Sequence, residues 1–168
     1  MIDDHLFFER NPGLIVESIA SVNALLQSSF TDEEFERLAE VIGQEAVSSL
    51  RNARPTIRDL PPSYVELLKL SNGGGITIGD REIAFFSPTE MREYLVAYQF
   101  PHYIPGALPF GLNGGGVFYV FDMREPMKAS DYPILAAAAG NLGYDDAPVI
   151  ARTIAQLLSE PTNIEDLL

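Results

Sequence analysis

The stretch Leu60-Pro61-Pro62-Ser63-Tyr64-Val65-Glu66-Leu67-Leu68-Lys69-Leu70-Ser71-Asn72-Gly73-Gly74 holds a helix start, an apolar face and a helix stop in immediate succession. Proline fits the first helical turn, where its missing N–H costs nothing, so Pro61 and Pro62 open a helix. Tyr64, Val65, Leu67 and Leu68 supply its buried side at helical spacing. Asn72-Gly73 supplies a left-handed terminator. Beyond it, Ile76-Thr77-Ile78 and Ile83-Ala84-Phe85-Phe86 predict a hairpin turned by Gly79-Asp80-Arg81-Glu82.

The run Asn72-Gly73-Gly74-Gly75 has a second copy, Asn113-Gly114-Gly115-Gly116, which also follows a Leu-Pro step, Leu108-Pro109, and precedes an apolar run. Both resemble phosphate loops, and neither is placed as one. The first follows a helix, where an anion would meet the negative end of the dipole, and the second runs directly into a strand. No Gly-Lys-Ser/Thr follows either run and neither contains a Lys or Arg. Both runs therefore read as backbone devices, and no cofactor is expected.

Upstream, Asn11-Pro12 predicts a first helix over 11–27 with Leu14, Ile15, Ile19, Val22, Leu25 and Leu26 on one stripe. Thr31 and Glu34 form a capping box, with Phe30 and Phe35 at the positions of a hydrophobic staple, for a second helix over 31–51. Gly43 marks a bend or early end within it. Pro55 closes a polar joint at 51–56 and marks a subdomain boundary. Downstream, Ser87-Pro88-Thr89-Glu90 is a second capping box launching a helix through Met91, Tyr94, Leu95 and Tyr98. Val117-Phe118-Tyr119-Val120-Phe121 is the strongest strand, ending at Asp122, and Pro133-Ile134-Leu135-Ala136 is a further one. Asp145-Asp146 precedes a predicted helix over 148–158, in which the two acids favour the dipole, and the tail 161–168 frays or adds a last turn. Because β residues alternate faces, Tyr119 and Phe121 lie opposite Phe118 and Val120, under a covering helix or exposed as a sticky surface.

Strands in the middle and helices at both ends predict an α+β fold, a mostly antiparallel sheet flanked by helices with an N-terminal helical extension. The length of 168 residues suits a single domain spanning 1–168, divided into a helical part over 1–54 and a core over 55–160.

The chain has no Cys, which excludes disulfides, zinc-thiolate sites and thiol catalysis. Its acidic N-terminus and lack of any apolar stretch of about 20 residues predict a cytoplasmic protein with no membrane segment. Twenty-four Asp and Glu against 11 Lys and Arg give a formal net charge of −13. Such a surface repels nucleic acid and steers basic partners toward it.

His5 and His102 are the only histidines, and neither stands in a nucleophile-base frame. Neither the pair Asp145-Asp146 nor His5 with Asp3 and Asp4 has the spacing of a metal site. Paired carboxylates for glycoside hydrolysis remain open among so many acids. Glu33, Glu36 and Glu40 form an acidic stripe on the second helix, with Glu36 and Glu40 repelling each other by a few tenths of a kcal/mol. That stripe is either a solvated face or a surface for a partner.

The run 60–74 resembles the "Leu-Pro, helix, Asn-Gly-Gly" hallmark of the SUKH superfamily, the Smi/Knr-type domain. Leu108-Pro109-Phe110-Gly111 followed by Asn113 to Gly116 and a strand ending in Asp122 resembles its second signature. The segment 150–158 is similar to its closing helix, with Ile154 where the family usually has Phe. On that resemblance Pro61, Asn72, Gly73, Gly74, Pro109, Gly111, Gly114, Gly115 and Gly116 shape the fold, which is α+β with no common catalytic site. The resemblance implies a non-catalytic protein-binding domain. Many bacterial members are immunity proteins that block a cognate toxin, commonly a nuclease, and fungal members are regulatory or scaffolding modules. The partner surface expected here comprises Asp80, Glu82, Asp122, Asp145 and Asp146, with Tyr119 as an anchor, facing a basic toxin domain. Catalytic, cofactor and metal residues are expected to be absent.

Overall fold

A computed structural model of the chain describes residues 2–161, 166 and 168. Its centre is a seven-stranded antiparallel sheet whose spatial order follows the chain: β1 (Phe7–Arg10), β2 (Gly74–Ile78), β3 (Arg81–Phe85), β4 (Ala107–Leu112), β5 (Val117–Asp122), β6 (Ile134–Ala138) and β7 (Val149–Ala151). The helices are α1 (Ile19–Gln27), α2 (Asp32–Ile42), α3 (Gln44–Arg51), α4 (Pro62–Leu70), α5 (Pro88–Ala97), α6 (Phe100–Tyr103) and α7 (Ile154–Ser159). The α+β expectation and the N-terminal helices are present.

Strand β5 is buried on both faces. On one, Tyr94 of α5, Tyr98 just past its end and Phe100 of α6 meet Phe118 edge-on at 5.5, 4.8 and 5.5 Å. On the other, Tyr64 of α4 stands 5.6 Å from Phe121, which stacks on Phe110 at 4.2 Å. The choice between a covered and an exposed second face is thus decided for cover. The Tyr64 hydroxyl, buried and held well above its ordinary pKa by desolvation, donates to the carbonyls of Phe86 and Phe110 at 2.7 and 3.0 Å. Helix α4 is thereby pinned to the exit of β3 and to the middle of β4.

The first glycine run is a packing device. Ser71 ends α4 in extended geometry, and Gly73 follows at φ +79, left-handed as expected but three residues past the last helical one, Leu70. A Cβ on Gly73 would lie 2.9 Å from the Ser87 nitrogen, and one on Gly74 would lie 2.5 Å from the Glu9 carbonyl oxygen. Gly74 and Gly75 belong to β2, so the hairpin turn shrinks to Gly79-Asp80, with Ile78 paired to Arg81. In the second run Asn113 Oδ1 accepts from the Gly115 and Val117 amides at 2.8 and 3.0 Å, closing the β4–β5 turn.

Two expected helices differ. Residues 11–15 are not helical: their polar groups bond across to the end of α4, Leu14 N–H to the Leu68 carbonyl (2.7 Å) and Asn72 N–H to the Pro12 carbonyl (3.2 Å). These tertiary bonds outcompete the local helical ones, and the first helix begins only at Ile19 after a short 3₁₀ turn. The expected helix over 148–158 splits, because Val149–Ala151 pairs with β6 as an edge strand and Thr153 then caps α7. Asp145 and Asp146 consequently precede a strand and are not helix N-terminal acids. The second helix does end early, at Gly43 (φ +83), and both capping boxes form. The tail beyond Pro161 lies largely outside the described residues.

Candidate functional site: an acidic surface and a tyrosine-walled cleft

The expected partner residues do not converge. Asp80 and Glu82 are exposed at the β2–β3 hairpin, at the sheet end shared with the Asn113–Gly116 turn. Asp122 lies at the opposite end, since it pairs with Ala107 at the start of β4. Its carboxylate is 14% exposed and receives Arg124 Nε at 2.9 Å and an Arg124 terminal nitrogen at 2.8 Å. Burial would raise the Asp122 pKa, but the Arg124 hydrogen bonds and charge outweigh it and hold the carboxyl below its ordinary value. Arg124 also covers the Tyr144 ring at 3.5 Å, and the Tyr144 hydroxyl donates to the Pro105 carbonyl at 2.8 Å. Asp122 is therefore committed to a local lock between β5 and the loop after β6.

Tyr119 is corrected outright. It is fully buried on the face toward α4 and α7, because β5 runs through the middle of the sheet, and it offers nothing to a partner as an anchor. Its hydroxyl has no hydrogen-bond partner among the described residues, and burial pushes its pKa up to about 12 against the opposing pull of Arg81.

Acid is concentrated elsewhere. Residues 31–50 carry Asp32, Glu33, Glu34, Glu36, Glu40 and Glu45 against the single base Arg37. Glu33, Glu36, Glu40 and Glu45 are exposed, beside Val41 at 74% exposure. Two of the local charges are neutralised across elements, Arg37 with Glu93 at 3.3 Å and Arg51 with Asp32. Glu34 alone turns inward: it closes the capping box and binds Arg92 of α5.

One concavity has aromatic walls. A cleft of about 360 Å³ lies between Ala97, Tyr98, Gln99 and Tyr103 on one side and the 139–142 turn on the other. Tyr98 is 37% and Tyr103 51% exposed. Tyr98 ends a stack that begins at Phe86 and passes through Tyr94, with ring separations of 4.3 and 5.8 Å. Burial and then the neighbouring Tyr98, Glu90 and Glu93 raise the Tyr94 pKa. Gln99 sits in left-handed geometry (φ 53), an uncommon state for a residue with a side chain, and its carbonyl accepts the His102 and Tyr103 amides. On the far wall Asn141 donates to Asp146 at 2.9 Å. Asp146 is thus the one expected acid that the fold bonds to this cleft. The sequence signal for the cleft was weak, since Tyr98, Gln99 and Tyr103 belong to no motif and the 139–142 turn is remote from them along the chain.

Among the described residues no three His, Asp or Glu side chains gather as a metal site requires, and no helix is long and apolar enough to cross a membrane. No curated protein matches the chain. A model of the SMI1 / KNR4 family (SUKH-1) matches residues 44–160, from the start of α3 to the end of α7. That match takes in both glycine runs, the helix that Tyr64 pins to the sheet and six of the seven strands, and on it the chain belongs to the SMI1 / KNR4 family (SUKH-1).

Proposed function

We propose that this protein is a non-catalytic, cytoplasmic binding domain that neutralises a basic toxin domain of nuclease type by occluding its active site. The observation that supports this reading is the acid excess of residues 31–50, presented on an exposed helical face that lies mostly just ahead of the SUKH-1 match at 44–160. A toxin that binds nucleic acid needs a cationic surface, and an immunity protein of charge −13 is steered to it over long range. Steering supplies rate and selectivity, while affinity needs a few desolvated anchors. The same surface would serve a regulatory or scaffolding module, and gene context separates the two readings.

The test is co-expression with the product of the adjacent gene. Protection from its toxicity, a purified complex, and an association rate that falls steeply between about 10 and 150 mM salt are the expected results. An adjacent product that neither binds nor harms the cell sinks the toxin reading. A rate insensitive to salt sinks the electrostatic part of it.

A further inference from the structure

We propose that the cleft between Tyr98, Tyr103 and the 139–142 turn receives an arginine side chain of the protein partner. This inference rests on the binding reading above and names the chemistry of one anchor. Three features of the cleft select a planar cation. Its walls carry two half-exposed tyrosines, whose ring faces attract a guanidinium. None of its lining residues is Lys or Arg, and among the described residues the cations that stack on rings do so at Phe7, Phe30, Phe35 and Tyr144 and not at Tyr98 or Tyr103. Asp146 accepts a hydrogen bond from Asn141 of the far wall at 2.9 Å, which sets one carboxylate directly behind the cleft lining, and Asp145 beside it is exposed. The stem of an arginine can lie on Ala97, Ala139 and Leu142 of the lining, and an acidic anchor would meet the Asp146 carboxylate behind it.

The cleft is also preformed. The stack from Phe86 through Tyr94 fixes Tyr98, and the left-handed Gln99 sets the start of the short helix that carries Tyr103. A side chain entering it meets groups already held in place, which lowers the ordering cost of binding. Net charge steers the partner in, and this cleft reads one residue of it.

The ¹⁵N-labelled full chain titrated with N-acetyl-argininamide, with N-acetyl-norleucinamide as the neutral control, tests the inference. Argininamide should shift the amides of 97–103 and 139–142 in a saturable way, and the control should not. Tyr103→Ala should weaken that binding by about fivefold or more, and Asp146→Asn should weaken it while the remaining spectrum stays unchanged. Equal shifts with norleucinamide, shifts confined to the α2 face, or an unaltered Tyr103→Ala affinity would overturn it. Co-expression with the adjacent gene's product separates this failure from that of the function. If the wild-type protein protects and Tyr103→Ala protects and associates equally well, the anchor is wrong and the functional reading stands. If the wild-type protein does not protect, the functional reading falls, and the argininamide titration decides the cleft by itself.

Discussion

Replacing Arg92 by Met should cost this protein about 3 kcal/mol, a large fraction of the roughly 5–15 kcal/mol that holds a domain folded. Arg92 is 4% exposed and projects from α5 into the α1–α2 joint. Its Nε and one terminal nitrogen donate to the two Glu34 oxygens at 2.7 and 3.0 Å. Its remaining bonds go to the Ser28 and Ser29 carbonyls at 2.7 and 2.8 Å, and the guanidinium lies 4.4 Å from the Phe30 ring centre. Met preserves the apolar stem and removes every donor, stranding a carboxylate that is itself only 15% exposed. Glu34 would still accept from the Thr31 amide at 2.7 Å, which places the cost at the lower end of that for a broken buried pair. With a urea m-value of about 2 kcal/mol/M, the unfolding midpoint falls by about 1.5 M. The double variant Arg92→Met with Glu34→Gln should be less destabilised than the sum of the singles, because no buried charge is left over.

The same pair predicts a pH dependence. Burial would raise the Glu34 pKa, but the Arg92 bonds outweigh it and hold the folded value below the ordinary one. A depressed folded pKa stabilises above the unfolded value of about 4.3, and that stability is lost as pH falls through the lower folded value. The difference between wild type and Arg92→Met should therefore be full at pH 7 and shrink below about pH 4. A cost under about 1 kcal/mol, or one that is the same at pH 7 and pH 3, would refute the assignment of Arg92 and Glu34 as a buried structural pair.

Tyr119→Phe removes a buried hydroxyl that has no partner among the described residues, so it should leave urea stability unchanged or raise it by up to about 1 kcal/mol; a clear loss would mean that the hydroxyl is bonded. Ala129 and Ser130 form a tight turn with φ of 52 and 62, bracketed by reciprocal bonds between Lys128 and Asp131, and Ser130→Gly should raise the melting midpoint with a gain of about 1 kcal/mol. Gly13→Ala would place a Cβ 1.8 Å from the Lys69 carbonyl oxygen. Hydrogen exchange should then accelerate at the Leu14 and Asn72 amides, which tie 12–14 to α4, and remain slow in β5.

Local interactions made much of the fold readable in the chain. Both capping boxes, the helix after Pro61, the stop at Gly43 and strand β5 are decided within a few residues, by side chains bonding neighbouring amides or by a backbone angle that glycine tolerates. The membership in a family was likewise carried by short runs, because Tyr64, Gly73 and Gly74 act through tight contacts that few other residues could make. The errors came where distant partners compete with local preference. Residues 11–15 have helical spacing, yet their amides and carbonyls bond α4, and 149–151 reads as helix but fills the open edge of β6.

The acid excess is a property of composition and needs no coordinates. Which acids are available is a property of the tertiary structure: Asp122 is spent on Arg124, Glu34 on Arg92, and Tyr119 is sealed beneath α4 and α7. A cleft joining Tyr98 and Tyr103 to the 139–142 turn exists only because antiparallel pairing of β5 with β6 delivers that turn beside α5 and α6. Charge adds along a chain, whereas exposure and proximity are set by packing between segments far apart in it, and for that reason the sequence alone yields the sign of the protein's surface but not which of its charges stand free on it.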